Sequence, residues 1–222
     1  MNNYILMHKD KEVAQVKLSD RGIKVTGVLK SDFMPIGMSN NQDKTLDEQM
    51  NIWNGNRCIP LGRPNYQSFM KEMNIEQASD WIAKSYMCAL TDCYWFKPAD
   101  SNVAWKDVNF RDNGFSSNLY KHLFYGQNNE AVNTFNSPDI TTDGAEPKMW
   151  VEKNSDFYLL KHYSGPMPNT VCNEFLISKI FSKLDIDCVD YNLIEIDGKI
   201  CCESKCFIAS NNEEFITAED LM

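Results

Sequence analysis

The chain has 222 residues, of which 43% are hydrophobic and 24% are charged, and its formal net charge is -9. This balance is typical of a globular protein with a sizeable core, and the negative charge disfavours nucleic-acid binding, which needs a basic surface to neutralise phosphates. No apolar run approaches the ~20 residues that span a bilayer, and the N-terminus lacks the apolar core of a signal peptide, so we expect a cytoplasmic protein without membrane partners.

Three short strands are predicted at the N-terminus. Apolar and polar residues alternate, imperfectly, over 4–8, 12–18 and 23–29, separated by short polar turns. Such alternation is typical of half-buried strands. We therefore predict a three-stranded antiparallel meander over residues 4–29.

Helices follow the meander. Thr45 and Glu48 have the spacing of a capping box, which predicts a helix that begins at Thr45. Asn54 and Gly55 are typical of a helix end. Helical spacing of apolar residues predicts two more helices, over 66–73 and 78–88.

Two arginines, Arg57 and Arg63, flank a loop that contains two prolines and a glycine. They fit an anion or partner site, and they also fit ion pairs within an acidic protein. We favour ion pairing, because isolated surface arginines in an acidic chain readily find carboxylates.

Residues 90–124 are rich in aromatic side chains, interleaved with Asp92, Asp107 and Asp112. The spacing of these carboxylates fits no calcium loop, and turn and cap residues explain them better. The eight cysteines and three histidines show no repeated zinc spacing. We therefore predict a loop-rich segment pinned by aromatic packing, reduced thiols and no metal ligand.

A polar stretch over 126–139 is typical of a linker. It predicts two domains, covering residues 1–135 and 136–222. The first would hold the meander, the helices and the aromatic segment.

A turn over 141–144 precedes a predicted strand over 149–152. Gly144 permits close backbone approach to a phosphate, and Lys148 adds positive charge. A second strand over 156–162 carries Lys161 at the end of an apolar run. A lysine there either extends to solvent or pairs with an anion, since an unpaired buried charge is costly.

The next predicted element is a helix that begins after Pro168, with Asn169 or Thr170 as its N-cap. Glu174 in its first turns either faces Lys161 or suits the helix dipole in solvent. Two strands follow, joined at Asp197 and Gly198 in a type I′ turn. The resulting order of strand, strand, helix, strand, strand is that of a kinase N-lobe.

These segments, TTDGAEPK, YLLK, NEFLISKIFSKLDI and the Asp-Gly hairpin, resemble the HipA-like serine/threonine kinases of bacteria. The resemblance places the family's phosphate loop at Gly144, Ala145 and Lys148 and its nucleotide lysine at Lys161. It identifies Glu174 as part of the Asn-Glu pair that opens the helix. The N-terminal part resembles an accessory region of HipA-like proteins from Gram-positive bacteria and their phages.

The resemblance implies an α+β fold, with an N-terminal α/β accessory region followed by a kinase-like N-lobe whose antiparallel sheet carries one main helix. It implies that ATP with Mg is bound by Thr141, Thr142, Gly144, Ala145, Lys148, Lys161, Glu174, Lys205 and Phe207. Thr141 matches a hydroxyl residue that the family can autophosphorylate, and 205–207 matches the hinge.

In this family the catalytic base and the magnesium ligands lie C-terminal to the hinge, whereas the sequence ends at Met222. We therefore expect no catalytic residue among these residues and a C-terminal kinase lobe that either belongs to a longer form of this chain or comes from a separate chain; the protein substrate is open. An alternative is a non-catalytic interaction module, a split or decayed kinase that binds a partner lobe or an antitoxin. A DNA-associated phage regulator is a third reading, which the negative charge disfavours.

Overall fold

The computed structural model describes residues 3–39, 43–72, 74–76, 78–115, 124 and 136–221. Its helices and two antiparallel sheets make an α+β fold, as the sequence predicts. No helix within these ranges has the length and apolar character needed to cross a membrane.

The first sheet contains the predicted meander and one further strand. Its strands are β1 (Asn3–His8), β2 (Lys11–Ser19), β3 (Gly22–Val28) and β4 (Tyr94–Pro98), in the order β3-β2-β1-β4. The antiparallel pairing of β1 with β2 and of β2 with β3 confirms the meander.

The fourth strand corrects the prediction of a loop-rich aromatic segment. β4 pairs antiparallel with β1, from Tyr4 opposite Pro98 to His8 opposite Tyr94. Trp95 and Phe96 are neighbours on opposite faces, and both are fully buried. The strand is covered on both sides, so its sequence shows no alternation of apolar and polar residues.

Between β3 and β4 the described residues form a 3-10 helix (Ser31–Phe33) and the helices α1 (Ile36–Ser39), α2 (Leu46–Arg57), α3 (Tyr66–Glu72) and α4 (Ala78–Ser85). The capping box at Thr45 and Glu48 is present as predicted.

Two predicted helix ends are wrong. α2 continues past Gly55 to Arg57, because Gly55 does not take the left-handed conformation that a glycine cap requires. α4 stops at Ser85, because Tyr86 and Met87 have φ values of 56° and 55°.

Two short helices follow β4: α5 (Trp105–Val108) and α6 (Phe110–Asn113). Asp107 accepts a hydrogen bond from the Ala104 N–H at 3.0 Å. Asp112 accepts one from the Asn109 side chain at 2.7 Å. These aspartates therefore serve caps and turns, as expected from the sequence.

The second sheet contains β5 (Lys148–Lys153), β6 (Asp156–Lys161), β7 (Tyr191–Ile196) and β8 (Lys199–Lys205), in the order β5-β6-β8-β7. Asp197 and Gly198 both have positive φ, which confirms the predicted turn between β7 and β8. Helix α7 (Asn169–Lys183) connects β6 to β7, and a short helix α8 (Ala218–Leu221) follows the sheet.

The predicted N-cap of α7 is wrong by one or two residues. Asn169 is already helical, so Pro168 occupies the N-cap position, and its ring has no polar atom that could cap the helix. Of the apolar residues of the helix and its end, Val171 is buried, whereas Ile177, Ile180 and Leu184 are more than half exposed.

One apolar core joins the two halves of the chain. Trp95 and Trp105 from the N-terminal part belong to the same buried cluster as Trp150 and Phe157 from the second sheet. The second sheet is therefore held against the N-terminal region by shared packing.

The capping box gives a stability prediction. We expect Thr45→Ala to lower the free energy of unfolding by ~1 kcal/mol, because the N–H of Glu48 loses its partner at the helix start. Urea unfolding measures this change. Thr45→Ser keeps the hydroxyl and should stay near the original value; an equal loss in both variants would contradict the capping role.

Candidate functional site

Two lysines face each other at one end of the second sheet. Lys148 and Lys161 are direct cross-strand partners in the pairing of β5 with β6. Directly opposed residues project from the same face of a sheet, and like charges in this position repel each other. The arrangement favours an anion beside the pair.

The ammonium of Lys161 is held by two partners. Its Nζ donates to Glu174 Oε2 at 2.7 Å and to the Tyr191 hydroxyl at 2.9 Å. Burial works to lower the pKa of Lys161, but these hydrogen bonds outweigh it and raise the pKa above its ordinary value. Lys161 is therefore positively charged at neutral pH, with only 15% of its side chain exposed.

Lys148 is in a different position, because no carboxylate in the described part of the chain forms an ion pair with it. Its Nζ donates to the Asp143 carbonyl at 2.6 Å. Burial, together with the positive charges of Lys161 and Arg63, lowers the pKa of Lys148 to about 8. A bound anion would offset the repulsion from the neighbouring positive charges and raise the pKa of Lys148 again.

Arg63 fixes the turn that precedes β5. Its guanidinium donates to the carbonyls of Thr142 and Gly144, and only 2% of the residue is exposed. The expectation of ion pairing is correct for Arg57, which binds Asp92 Oδ1 at 2.7 Å. It is wrong for Arg63, whose partners are backbone carbonyls from the second half of the chain.

Asp139 is a buried residue that sequence reasoning missed. Its carboxylate accepts hydrogen bonds from the Trp150 N–H at 2.7 Å and from Ser137 Oγ at 3.1 Å. Burial raises the pKa of Asp139 to about 7. It lies at the end of the predicted linker, of which 126–135 fall outside the described residues; positions 137–139 are buried.

The two threonines of the turn are engaged in internal hydrogen bonds. Thr141 Oγ1 donates to the Cys88 carbonyl at 2.8 Å. Thr142 Oγ1 donates to the Pro138 carbonyl at 2.7 Å and accepts from Trp150 Nε1 at 2.8 Å. Both residues are buried, so a phosphoryl group can reach the Thr141 hydroxyl only if the turn opens.

Gly144 takes a conformation that favours glycine. Its φ is +99°, and a Cβ at this position would collide with the ammonium of Lys148. Ala145, the next residue, is exposed. Glycine therefore allows Lys148 to lie across the turn.

A cavity of about 520 Å³ lies beside this cluster. Its wall includes five of the predicted site residues: Thr141, Thr142, Lys161, Lys205 and Phe207. Lys148 and Glu174 contact two of the lining residues, Asp143 and Lys161.

The two predicted hinge residues lie differently. Phe207 is 57% exposed beside the cavity. The Lys205 ammonium pairs with Asp156 Oδ2 at 2.7 Å on the exposed surface. Lys205 therefore offers the cavity its backbone rather than a free charge.

The opposite wall of the cavity comes from the N-terminal region. It includes Trp53, Arg57 and Tyr94, with Arg57 stacked 4.7 Å from the Trp53 ring centre. The cavity thus combines a cationic end at Lys161 with aromatic and apolar walls.

Comparison with protein-family models and with curated proteins finds no match to this chain. The interpretation of the site therefore depends on its own geometry.

The lowered pKa of Lys148 gives a prediction for NMR. We expect its side-chain signal to titrate near pH 8, well below an ordinary lysine at 10.5. Since its folded pKa is the lower one, Lys148 binds more protons in the unfolded chain between these values, so it contributes a rise of the free energy of unfolding with pH across that window. Buried cysteines such as Cys58 and Cys202, whose pKa values burial raises to about 12, contribute a fall from about pH 9 upward.

Lys148→Met should remove this contribution, so that between about pH 8 and pH 10.5 the free energy of unfolding changes less favourably with rising pH than in the unaltered chain. The raised pKa of Lys161 contributes the opposite slope only above 10.5, outside the window. A titration of Lys148 at an ordinary lysine value would contradict the cationic cluster.

Proposed function

We propose that this chain forms the ATP-binding side of a HipA-like serine/threonine protein kinase. The observation that carries the proposal is the ion pair between Lys161 and Glu174, with Lys148 directly opposite Lys161 on the neighbouring strand. In protein kinases a strand lysine pairs with a glutamate of the following helix and with the nucleotide phosphates.

The chemistry of the donors fits a polyphosphate. Lys148, Lys161 and Arg63 bring three positive charges together; burial, and then the charges of Lys161 and Arg63, lower the pKa of Lys148. Only Lys161 has a carboxylate partner among them within the described residues. In addition, Arg63 Nη1 is buried and has no hydrogen-bond partner among the described residues. The carboxylates of Asp139 and Asp143 also act on these cations, so a phosphate chain would compete with them for the positive charge.

The order of elements supports the same proposal. Helix α7 lies between β6 and β7 in the chain, and β8 separates these two strands in the sheet. This connection brings Glu174 across the sheet to Lys161 at the end of β6. A nucleotide site that uses a strand lysine needs a carboxylate beside it, here that of Glu174, to hold the ammonium in one orientation.

Each residue then has a role toward ATP. Lys161 holds a phosphate oxygen, and Glu174 with Tyr191 orients its ammonium. Lys148 adds a second charge, and Arg63 keeps the 142–144 turn in place. Bound ATP supplies the transferable phosphoryl group with Mg; a C-terminal kinase lobe is the partner that provides the catalytic base and the metal ligands.

A non-catalytic interaction module is the second candidate, and the surface of α7 favours it. Leu176, Ile177, Ile180, Phe181 and Leu184 are 37% to 62% exposed along one helix and its end. Contiguous exposed apolar residues often mark sites of protein contact. In this case the Lys161–Glu174 pair would serve only to dock the helix.

Calorimetry with ATP and Mg separates the two candidates. We expect Lys161→Met to weaken binding about tenfold or more, since hydrogen bonds to charged groups contribute ~1.5–3 kcal/mol. Glu174→Gln should weaken it less, because the lysine charge remains. Lys153→Met is the matched control: it removes a lysine from the same sheet, on the opposite face, and should leave the affinity unchanged.

Thermal melting of each variant verifies that the fold persists. Absence of ATP binding by the unaltered chain, or equal affinity in Lys161→Met, would contradict the proposed nucleotide site. The interaction module would then be the better account of the chain.

A further inference from the structure

The segment 209–217, which we call the strap, runs from the second sheet back to the N-terminal region and contributes Phe215 and Ile216 to the cavity wall. We propose that Phe215 of the strap, together with Phe207, receives the base of the bound nucleotide. This inference rests on the proposed function and adds a base-binding residue that the sequence motifs do not identify.

Hydrogen bonds hold the strap in place at Phe215 and at the residue before it. The Phe215 N–H donates to the Thr91 carbonyl at 2.7 Å. Glu214 Oε1 accepts from the Cys93 N–H at 2.8 Å and from His8 Nε2 at 2.9 Å. Two different elements of the N-terminal region therefore fix the residue that precedes Phe215.

The beginning of the strap is fixed in the same way. Arg111 donates to the Ile208 carbonyl at 2.7 Å, and Lys9 donates to Asn212 Oδ1 at 3.1 Å. With the strap bound near its beginning and at Glu214 and Phe215, the backbone position of Phe215 is defined before any ligand binds, which reduces the entropy cost of binding.

The two phenylalanine rings form an aromatic pair at the cavity. Their centres lie 5.3 Å apart at an interplanar angle of 76°. Phe215 is 46% exposed and Phe207 is 57% exposed, although both line the same concave site. Half-exposed aromatic rings in a cavity are suited to stacking on a planar ligand, and stacking tolerates any base.

The pair lies toward the opposite end of β6 from the cationic cluster. The Cys206 N–H donates to the Phe157 carbonyl at 2.8 Å, which places Phe207 just beyond the beginning of β6, whereas Lys161 ends that strand. Lys161 lies four residue steps along the strand from Phe157, a distance of ~13 Å. A nucleoside triphosphate, with a planar aromatic base at one end and phosphates at the other, matches this separation.

Phe207 also offers polar groups for the edge of a base. Within the described part of the chain, its backbone N–H and C=O make no hydrogen bonds to other residues. A base stacked near Phe215 would meet these groups beside the apolar side chain of Leu159, which also lines the cavity.

The test compares three ligands by calorimetry: ATP with Mg, adenosine, and inorganic tripolyphosphate. We expect Phe215→Ala to weaken ATP and adenosine binding by about fivefold to a hundredfold, the range for loss of one base–aromatic stack, and to leave tripolyphosphate unchanged. Lys161→Met should show the opposite pattern, with tripolyphosphate lost and adenosine retained.

Two further variants keep the result interpretable. Phe215→Tyr retains the ring and should retain adenosine binding. Phe215→Leu keeps apolar volume without a ring and should lose adenosine affinity; it serves as the test variant if Phe215→Ala does not fold. Leu61→Ala removes a 74% exposed apolar side chain elsewhere and serves as control.

The two proposals fail in different ways. If the unaltered chain binds ATP and both Phe215→Ala and Phe215→Leu bind it with the same affinity, the assignment of Phe215 is overturned while the nucleotide site stands. If the unaltered chain binds neither ATP nor tripolyphosphate, the proposed function is overturned, and the role of Phe215 with it.

Discussion

A lysine ammonium that is largely withdrawn from water must be paired, and in this molecule that requirement shapes the second half of the chain. Lys161 finds the carboxylate of Glu174 on α7 and the hydroxyl of Tyr191 on β7. The Tyr191 N–H in turn donates to Ser178 Oγ at 3.3 Å, about one helical turn of α7 beyond Glu174. Polar contacts therefore help to dock the helix beside the buried Val171, and the apolar side chains of Leu176, Ile177, Ile180 and Leu184 face solvent.

A second charged residue links the two halves. Arg63 from the N-terminal region is buried against the carbonyls of the 142–144 turn, and Asp139 anchors the other side of that turn to Trp150. The guanidinium cannot leave this site without exposing unpaired carbonyls or stranding its own buried charge. The geometry of the proposed phosphate site is thus determined partly by residues that lie far from it in sequence. The strap, which belongs to the second half of the chain, likewise binds to the N-terminal region.

Much of the fold follows from local patterns in the sequence, because those patterns reflect local physics. Alternation identifies β1 to β3, and the Thr45 capping box and the Asp197–Gly198 turn are local hydrogen-bond and backbone preferences. β4 was missed because it is buried on both faces and shows no alternation. Arg63 was misassigned because backbone carbonyl partners leave no trace in residue type, and Phe215 gave no signal because its position depends on contacts with Thr91 and Cys93.

The central claim is that Lys148 and Lys161 together form a phosphate site beside the cavity. The most direct measurement is a crystal structure of the chain with a non-hydrolysable ATP analogue and Mg. The account predicts phosphate oxygens within hydrogen-bond distance of both ammonium groups, with Glu174 still bound to Lys161. A nucleotide bound elsewhere on the chain, or a triphosphate that contacts neither lysine, would contradict it.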